Sequence, residues 1–224
     1  MSKLVFTFFV LLVLGSFAHA ANDACQPLFD GKTLEGWQAN ESPQSWVVED
    51  GAIVTNGPRS HLFYVGPVAS HEFKNFEFCA EVMTAPGANS GIYFHTRLAS
   101  DHWPQAGYEC QVFNRGPYKD EGYMERKKTG SIYAVRNTWR APAQDSVWFE
   151  YRIKVSGQTI QTFINGELIC QYTEPGNPWR AKDKPGRRLG AGTFALQCHD
   201  PDSVVRYRNL KVRLLPDGAP SLGT

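Results

Sequence analysis

The sequence predicts an all-β protein, two antiparallel sheets packed as a sandwich or jelly roll in a single domain. Three observations predict it. Short segments alternate apolar and polar residues, two Xaa-Gly pairs sit between such segments as hairpin signals, and no stretch repeats apolar residues at helical spacing. Internal repeats of fixed period are absent, which disfavours propellers and solenoids.

The chain of 224 residues opens with Lys3, an apolar run LVFTFFVLLVLG and Ala18-His19-Ala20. That is the pattern of a secretory signal peptide over residues 1–20, and the run is short for a bilayer span. The expected domain covers residues 21–216 and a C-terminal tail residues 217–224. Cleavage after Ala20 removes Lys3 as its single charged residue and takes the formal charge from +1 to zero. A neutral exported domain gives no reason to expect nucleic acid or, after cleavage, a membrane as partner. A periplasmic or extracellular location follows, with the oligomeric state left open. Export permits disulfides among Cys25, Cys79, Cys110, Cys170 and Cys198, although cysteine inside a strand is more often a small buried hydrophobe. They have no Cys-x-x-Cys spacing, so zinc-knuckle and thioredoxin-type sites are unsupported.

Leu28 to Trp37 is a turn-rich opening whose Phe29, Leu34 and Trp37 anchor it to a core. Trp46 to Glu49 and Ala52 to Thr55 flank Asp50-Gly51, a hairpin turn that requires positive φ at both positions. Leu62 to Val65 and the longer Phe73 to Met83 follow. In the latter Phe76, Phe78, Ala80 and Val82 alternate with more polar neighbours, the pattern of a sheet with one buried face. Gly91 to Arg97 puts Ile92, Phe94 and Thr96 on one face and Tyr93, His95 and Arg97 on the other. Tyr108 to Val112 repeats this, with Glu109 and Gln111 on the outward face. Residues 115–130 read as a charged, glycine-rich loop, after which Ser131 to Val135 resumes an extended segment. Val147 to Val155 is a core strand with a charged back. Thr159 to Ile164 and Glu167 to Tyr172 flank the second hairpin signal, Asn165-Gly166. The run Arg180 to Arg188 reads as a solvated loop, and Gly192 to His199 and Val204 to Leu214 as the last two strands.

Nine pieces in this order, LFDGKTLEGW, WVVEDGAI, FKNFEF, GANSGIYF, GYECQV, KTGSIY, INGE, FALQCHD and VVRYRNLKV, resemble the secreted 3-keto-disaccharide hydrolase family. The resemblance implies a concanavalin A-like jelly roll, carbohydrate substrates, and cleavage of glycosides already oxidised to a ketone at C3. Its motifs fall on Asn89, Ser90 and Gly91; on Gly107, Tyr108, Glu109 and Gln111; on Leu196, Gln197 and His199; and on Tyr207, Arg208 and Asn209. The sequence departs from the family in having His95 where an arginine is usual, with Arg97 two residues on, and Asn114 where an aspartate is usual.

A ketone at C3 acidifies the hydrogen on C2, so one base could start expulsion of the C1 substituent. Glu109 is the expected base, His199 the second acid or base, and Arg97 or Arg208 the cation that holds the developing enolate. Asn89, Tyr93, His95, Trp103, Gln111 and Gln197 are the expected sugar-binding residues, with Trp103 offering an aromatic face to a pyranose. Tyr123, Trp139 and Trp179 are further aromatic platforms with a plain packing role as the alternative. No cofactor is expected; a divalent metal on His95, Glu109 and His199 is the alternative, with ligands scattered over separate segments. Two other functions stay open: a non-catalytic carbohydrate-binding module on the same fold, and an ordinary glycoside hydrolase working with two carboxylates.

Overall fold

The protein is described by a computed structural model covering residues 24–115, 118–120 and 123–217, with the backbone alone for residues 118–120, 123 and 124. The expected signal peptide and all but the first residue of the expected tail lie outside the described residues, as does the Tyr123 side chain.

Among the described residues fifteen strands follow one another: β1 (Gln26–Pro27), β2 (Trp37–Ala39), β3 (Trp46–Glu49), β4 (Ala52–Thr55), β5 (Ser60–Tyr64), β6 (Phe76–Thr84), β7 (Ser90–Thr96) and β8 (Tyr108–Val112); then β9 (Tyr118–Asp120), β10 (Tyr123–Glu125), β11 (Phe149–Ser156), β12 (Thr159–Ile164), β13 (Glu167–Thr173), β14 (Thr193–Cys198) and β15 (Val205–Leu214). One sheet runs β13-β12-β11-β6-β15-β4-β3, with β1 added to β15, and the other runs β2-β5-β14-β7-β8. Among the described residues there is no α-helix, only two short 3-10 turns at Pro43–Ser45 and Val68–His71. The two-sheet antiparallel sandwich is the expected one.

The hairpins form where the sequence places them. Asp50 and Gly51 have φ of 49° and 76° between β3 and β4, and Asn165 and Gly166 have 49° and 82° between β12 and β13. Phe76, Phe78, Ala80 and Val82 of β6 are buried against Phe94 of β7, Tyr108 of β8 and Phe194 of β14. Phe194 spans the layers, its ring 4.5 Å from Phe73 and 4.8 Å from both Phe76 and Phe78. Full burial of each such side chain contributes about 1.5–3 kcal/mol. All five cysteines are free thiols; Cys110, Cys170 and Cys198 are buried as small hydrophobes, and Cys25 is exposed.

Two segments depart from expectation. Ser131 to Val135 is a series of turns, with Ile132 bridging both Cys110 and Arg136; Asn137 Oδ1 accepts the Ala134 N–H at 3.1 Å and Ala134 takes φ of 59°, which bends the chain back. The presumed loop before it carries the β9–β10 hairpin.

The alternation of β7 breaks at His95. Thr96 stands opposite Thr193 and Tyr93 opposite Ala195, so β7 holds one residue more than β14 across that interval. The extra residue is a β-bulge, with His95 at φ of 55°. A Cβ at Gly107 would lie 2.0 Å from the Phe94 carbonyl oxygen, and one at Gly192 2.4 Å from that of Thr96. Bare backbone on both sides is what lets the bulge fit.

Candidate active site

The outward face of the five-stranded sheet is the floor of a cavity of about 370 Å³. β8 contributes Glu109 and Gln111, β7 contributes Tyr93, β14 contributes Gln197, and Asn89 and His199 stand just beyond the ends of β7 and β14. These six are brought together as the alternation of their strands requires. Gly91 shares this face. A Cβ there would lie 2.8 Å from Glu109 Oε1 and 3.0 Å from its Cγ, so glycine makes the space the carboxylate occupies. Ser90 faces the core instead, bonded to the Gln197 carbonyl and, at 2.7 Å, to the Tyr207 hydroxyl of the opposite sheet.

Glu109 is only 6% exposed. Gln197 Nε2 donates to its Oε1 at 3.2 Å, and Arg187 Nη2 donates to its Oε2 at 3.2 Å. Burial pushes the carboxyl above its ordinary range, opposed by the charge of Arg187 and by hydrogen bonds from Tyr93, Gln197 and Arg187. The Tyr93 phenol is driven well above its usual value, first by burial and then by the Glu109 charge, so it remains a donor. Gln111 Nε2 donates to Asn89 Oδ1 at 2.6 Å, while its own buried Oε1 has no protein partner. Gln111 lines the cavity, so this unpartnered acceptor is a group that a donor from a bound molecule would satisfy.

Loops build the walls. Trp103 stands between two imidazoles, with ring centres 5.2 Å from His61 and 5.3 Å from His199, and the Arg59 guanidinium lies 5.6 Å from its ring. On the other side Arg187 and Lys184 reach in beside Tyr133, Glu125 and Asp183. Arg187 lies 4.9 Å over the Tyr133 ring and donates to that residue's carbonyl. Its loop is tied down by Glu174, which accepts from Arg180 at 2.9 Å and from the Leu189 N–H at 3.1 Å, and bonds the Tyr108 hydroxyl. Gly186 lets the loop touch the Trp103 loop: its carbonyl accepts the Gly107 N–H at 3.0 Å, and a Cβ on it would lie 2.2 Å from the Gln105 oxygen.

Residues 24–213 match the model of the 3-keto-alpha-glucoside-1,2-lyase-like domain. The chain belongs to this family. It is 38% identical to a protein of Bacteroides thetaiotaomicron named 3-keto-disaccharide hydrolase, over 84% of this chain and 77% of that one. In fold it is similar to a candidate glycosyl hydrolase of Parabacteroides distasonis, at TM-score 0.71 and 23% identity over 84% of this chain and 93% of that one. A carbohydrate-binding module of Bacillus subtilis shares the architecture more loosely, at TM-score 0.53 and 11% identity over 80% of this chain and 95% of that one.

Several family-motif residues lie elsewhere. Arg208 and Asn209 bond Glu81 at 2.6 and 2.9 Å, and Arg208 packs 4.0 Å over the Trp148 ring, all on the outer face of the larger sheet. Arg208 is therefore not a site cation. Neither is Arg97, which pairs with Glu72 at 2.7 Å on the surface. His95 is likewise not a sugar-binding residue, because the bulge turns its ring toward Phe76 and Phe94. Both its nitrogens serve the backbone, at 2.9 Å from the Lys74 carbonyl and 3.2 Å from the Gly190 N–H, so the His95–Glu109–His199 metal set is not assembled. Among the described residues no group of three or more His, Cys, Asp or Glu stands at metal-holding spacing. Asn114 joins Thr84 and Thr129 at 3.0 and 2.6 Å, away from the main cavity. Trp139 and Trp179 are 64% and 84% exposed, packed on no core.

The cation that does reach Glu109, Arg187, comes from the run read as solvated. The signal for it is faint: its partner lies far away in sequence, and only the glycine at 186 hints at a close crossing of loops.

Proposed function

We propose that this chain is an exported, periplasmic or extracellular enzyme that cleaves glycosidic bonds of sugars carrying a ketone at C3. The observation that carries the reading is Glu109, a buried carboxyl held above its ordinary range at the floor of a polar cavity, bonded to the Arg187 guanidinium, with the His199 imidazole lining the same cavity. The family and the name of the 38% identical relative support the substrate class. Glu109 takes the C2 hydrogen as a proton; the electron pair enters an enolate across C2, C3 and the ketone oxygen; the enolate expels the C1 substituent. Arg187, in the role first expected of Arg97 or Arg208, offsets the charge on the enolate oxygen. His199 gives a proton to the departing oxygen; water then adds at C1, its proton passing to His199 while the Glu109 proton returns to C2, which turns elimination into net hydrolysis and restores both groups. Gln111, Gln197, Asn89 and Tyr93 bind ring hydroxyls, and Trp103 flanks the sugar.

The test incubates the protein with a glucoside, trehalose and lactose, and with the 3-keto form of each, with and without a chelator. Cleavage confined to the keto forms is the expected result. Binding without turnover would replace the reading with a carbohydrate-binding module. One observation favours a second enzyme class: Glu125 and Asp183 line the same cavity as Glu109, which supplies further carboxylates for an ordinary glycosidase. Cleavage of the unoxidised sugars would select it, and loss of turnover with chelator would bring in a metal.

A further inference from the structure

Asp200 follows His199 and has no part in the steps above. Its Oδ2 lies 2.7 Å from His199 Nδ1 and accepts the Ser203 hydroxyl at 2.9 Å, while its Oδ1 accepts the Asp202 N–H at 3.0 Å. Ser203 Oγ in turn accepts the Asn89 N–H at 2.9 Å. One carboxylate thus braces two neighbours at one end of the cavity floor, His199 after β14 and Asn89 before β7, which stand side by side because the two strands are antiparallel. The division between its oxygens is informative. Oδ1 makes an Asx turn, which needs no histidine, whereas Oδ2 is spent on the imidazole and on the serine that fixes Asn89.

An ionised carboxylate only accepts hydrogen bonds, so a neutral imidazole facing it carries its hydrogen on Nδ1 and its lone pair on Nε2. We infer that Asp200 is a positioning residue that sets this tautomer of His199, making Nε2 the atom that takes and returns protons in the cavity. A histidine without such a partner can present either nitrogen, and with Nε2–H as the neutral form it could not accept a proton there. The effect of Asp200 on turnover rests on the proposed role of His199; its effect on the tautomer does not.

The experiment is 15N NMR of protein labelled in histidine, with the His199 ring signals assigned by their loss in His199→Gln, at a pH where the ring is neutral. Wild-type protein is expected to show a protonated Nδ1 and an unprotonated Nε2. In Asp200→Asn, which keeps the side-chain shape and can donate to Nδ1, much of the population should move its hydrogen to Nε2. Turnover of a 3-keto-glycoside should fall at least about tenfold, mainly in kcat. A wild-type ring protonated at Nε2 would overturn the inference, whether or not the variant folds. So would an Asn variant with wild-type tautomer and turnover. If no 3-keto-glycoside is cleaved at all, the functional reading fails while the tautomer measurement still decides the role of Asp200.

Discussion

Two faces of this sandwich carry rows of charged and polar residues, and they differ in what lies over them. On the outer face of the larger sheet Glu77 pairs with Arg152 and Arg213 at 3.6 and 3.3 Å, and Glu81 with Arg208 at 2.6 Å. On the outer face of the smaller sheet Glu109, Gln111 and Gln197 are 6%, 2% and 1% exposed. The same period-two pattern writes both. What separates them is the cover: the loops carrying Trp103, Tyr133 and Arg187 fold over the second face, so its carboxylate loses water and gains a raised pKa, while the ion pairs of the first stay solvated. A polar strand face becomes a site when something else in the chain dries it.

Four substitution or pH experiments press on that contrast. Glu109→Gln should lower turnover by about 10²–10⁴-fold, the usual worth of a placed general base, whereas Glu81→Gln should leave it within twofold of wild type; steady-state kinetics on both purified proteins would break the distinction if the two losses matched. Arg187→Met should cost about 10²–10³-fold. Because the lost cation opposes the burial shift of Glu109, the acid limb of the pH–rate profile should also move to higher pH.

The next effect is on stability and has a sign of its own. Burial holds the His61 and His95 rings neutral, with pKa lowered to about 3 and about 4. The unfolded chain protonates histidine near 6.5, so their contribution is complete above that pH and is lost as pH falls toward 4, at about 1.4 kcal/mol per pH unit for each ring. Glu109, raised in the fold, has the opposite sign, its contribution falling as pH rises through the folded pKa. Urea melts from pH 7 to 4.5 should show the histidine loss, and His61→Phe should remove about half of it. An unchanged slope in that variant would clear His61. Smallest is Arg208→Ala, expected to shift unfolding by no more than about 1 kcal/mol because its ion pair is solvated; kinetics indistinguishable from wild type would confirm that the far face takes no part.

Much of this was legible in the chain itself. Alternation and the two Xaa-Gly pairs mark the sandwich and its hairpins, and the spacing of Glu109, Gln111 and Gln197 marks the floor, because strand geometry leaves a side chain only two directions. Arg97 is expected at the site for the same reason, and Arg208 because a motif of the resembled family falls on it; both lie elsewhere, since neither a strand pattern nor a motif says which sheet or which end a residue takes. His95 required knowing that β7 gains a residue, which depends on backbone contacts with Gly107 and Gly192. Arg187 was hidden by its loop, where no period constrains direction and the decisive partner is 78 positions away. His61 left no mark at all: an imidazole with neither nitrogen bonded, wedged between Tyr93 and Trp103, is visible only once three strands and a loop are assembled.

The bulge at His95 also sets how this region can change length. Because Phe94 and His95 together face one residue of β14, Tyr93 and Thr96 both stand on the outward face, opposite Ala195 and Thr193; a further insertion or deletion within β7 would turn the residues beyond it to the other face. Changes of length are therefore excluded from the strand and fall instead on the loop from Leu98 to Ala106, which carries Trp103. In a lineage of such proteins, cavity walls can be rebuilt by insertion and deletion there while the carboxylate and its neighbours keep their places.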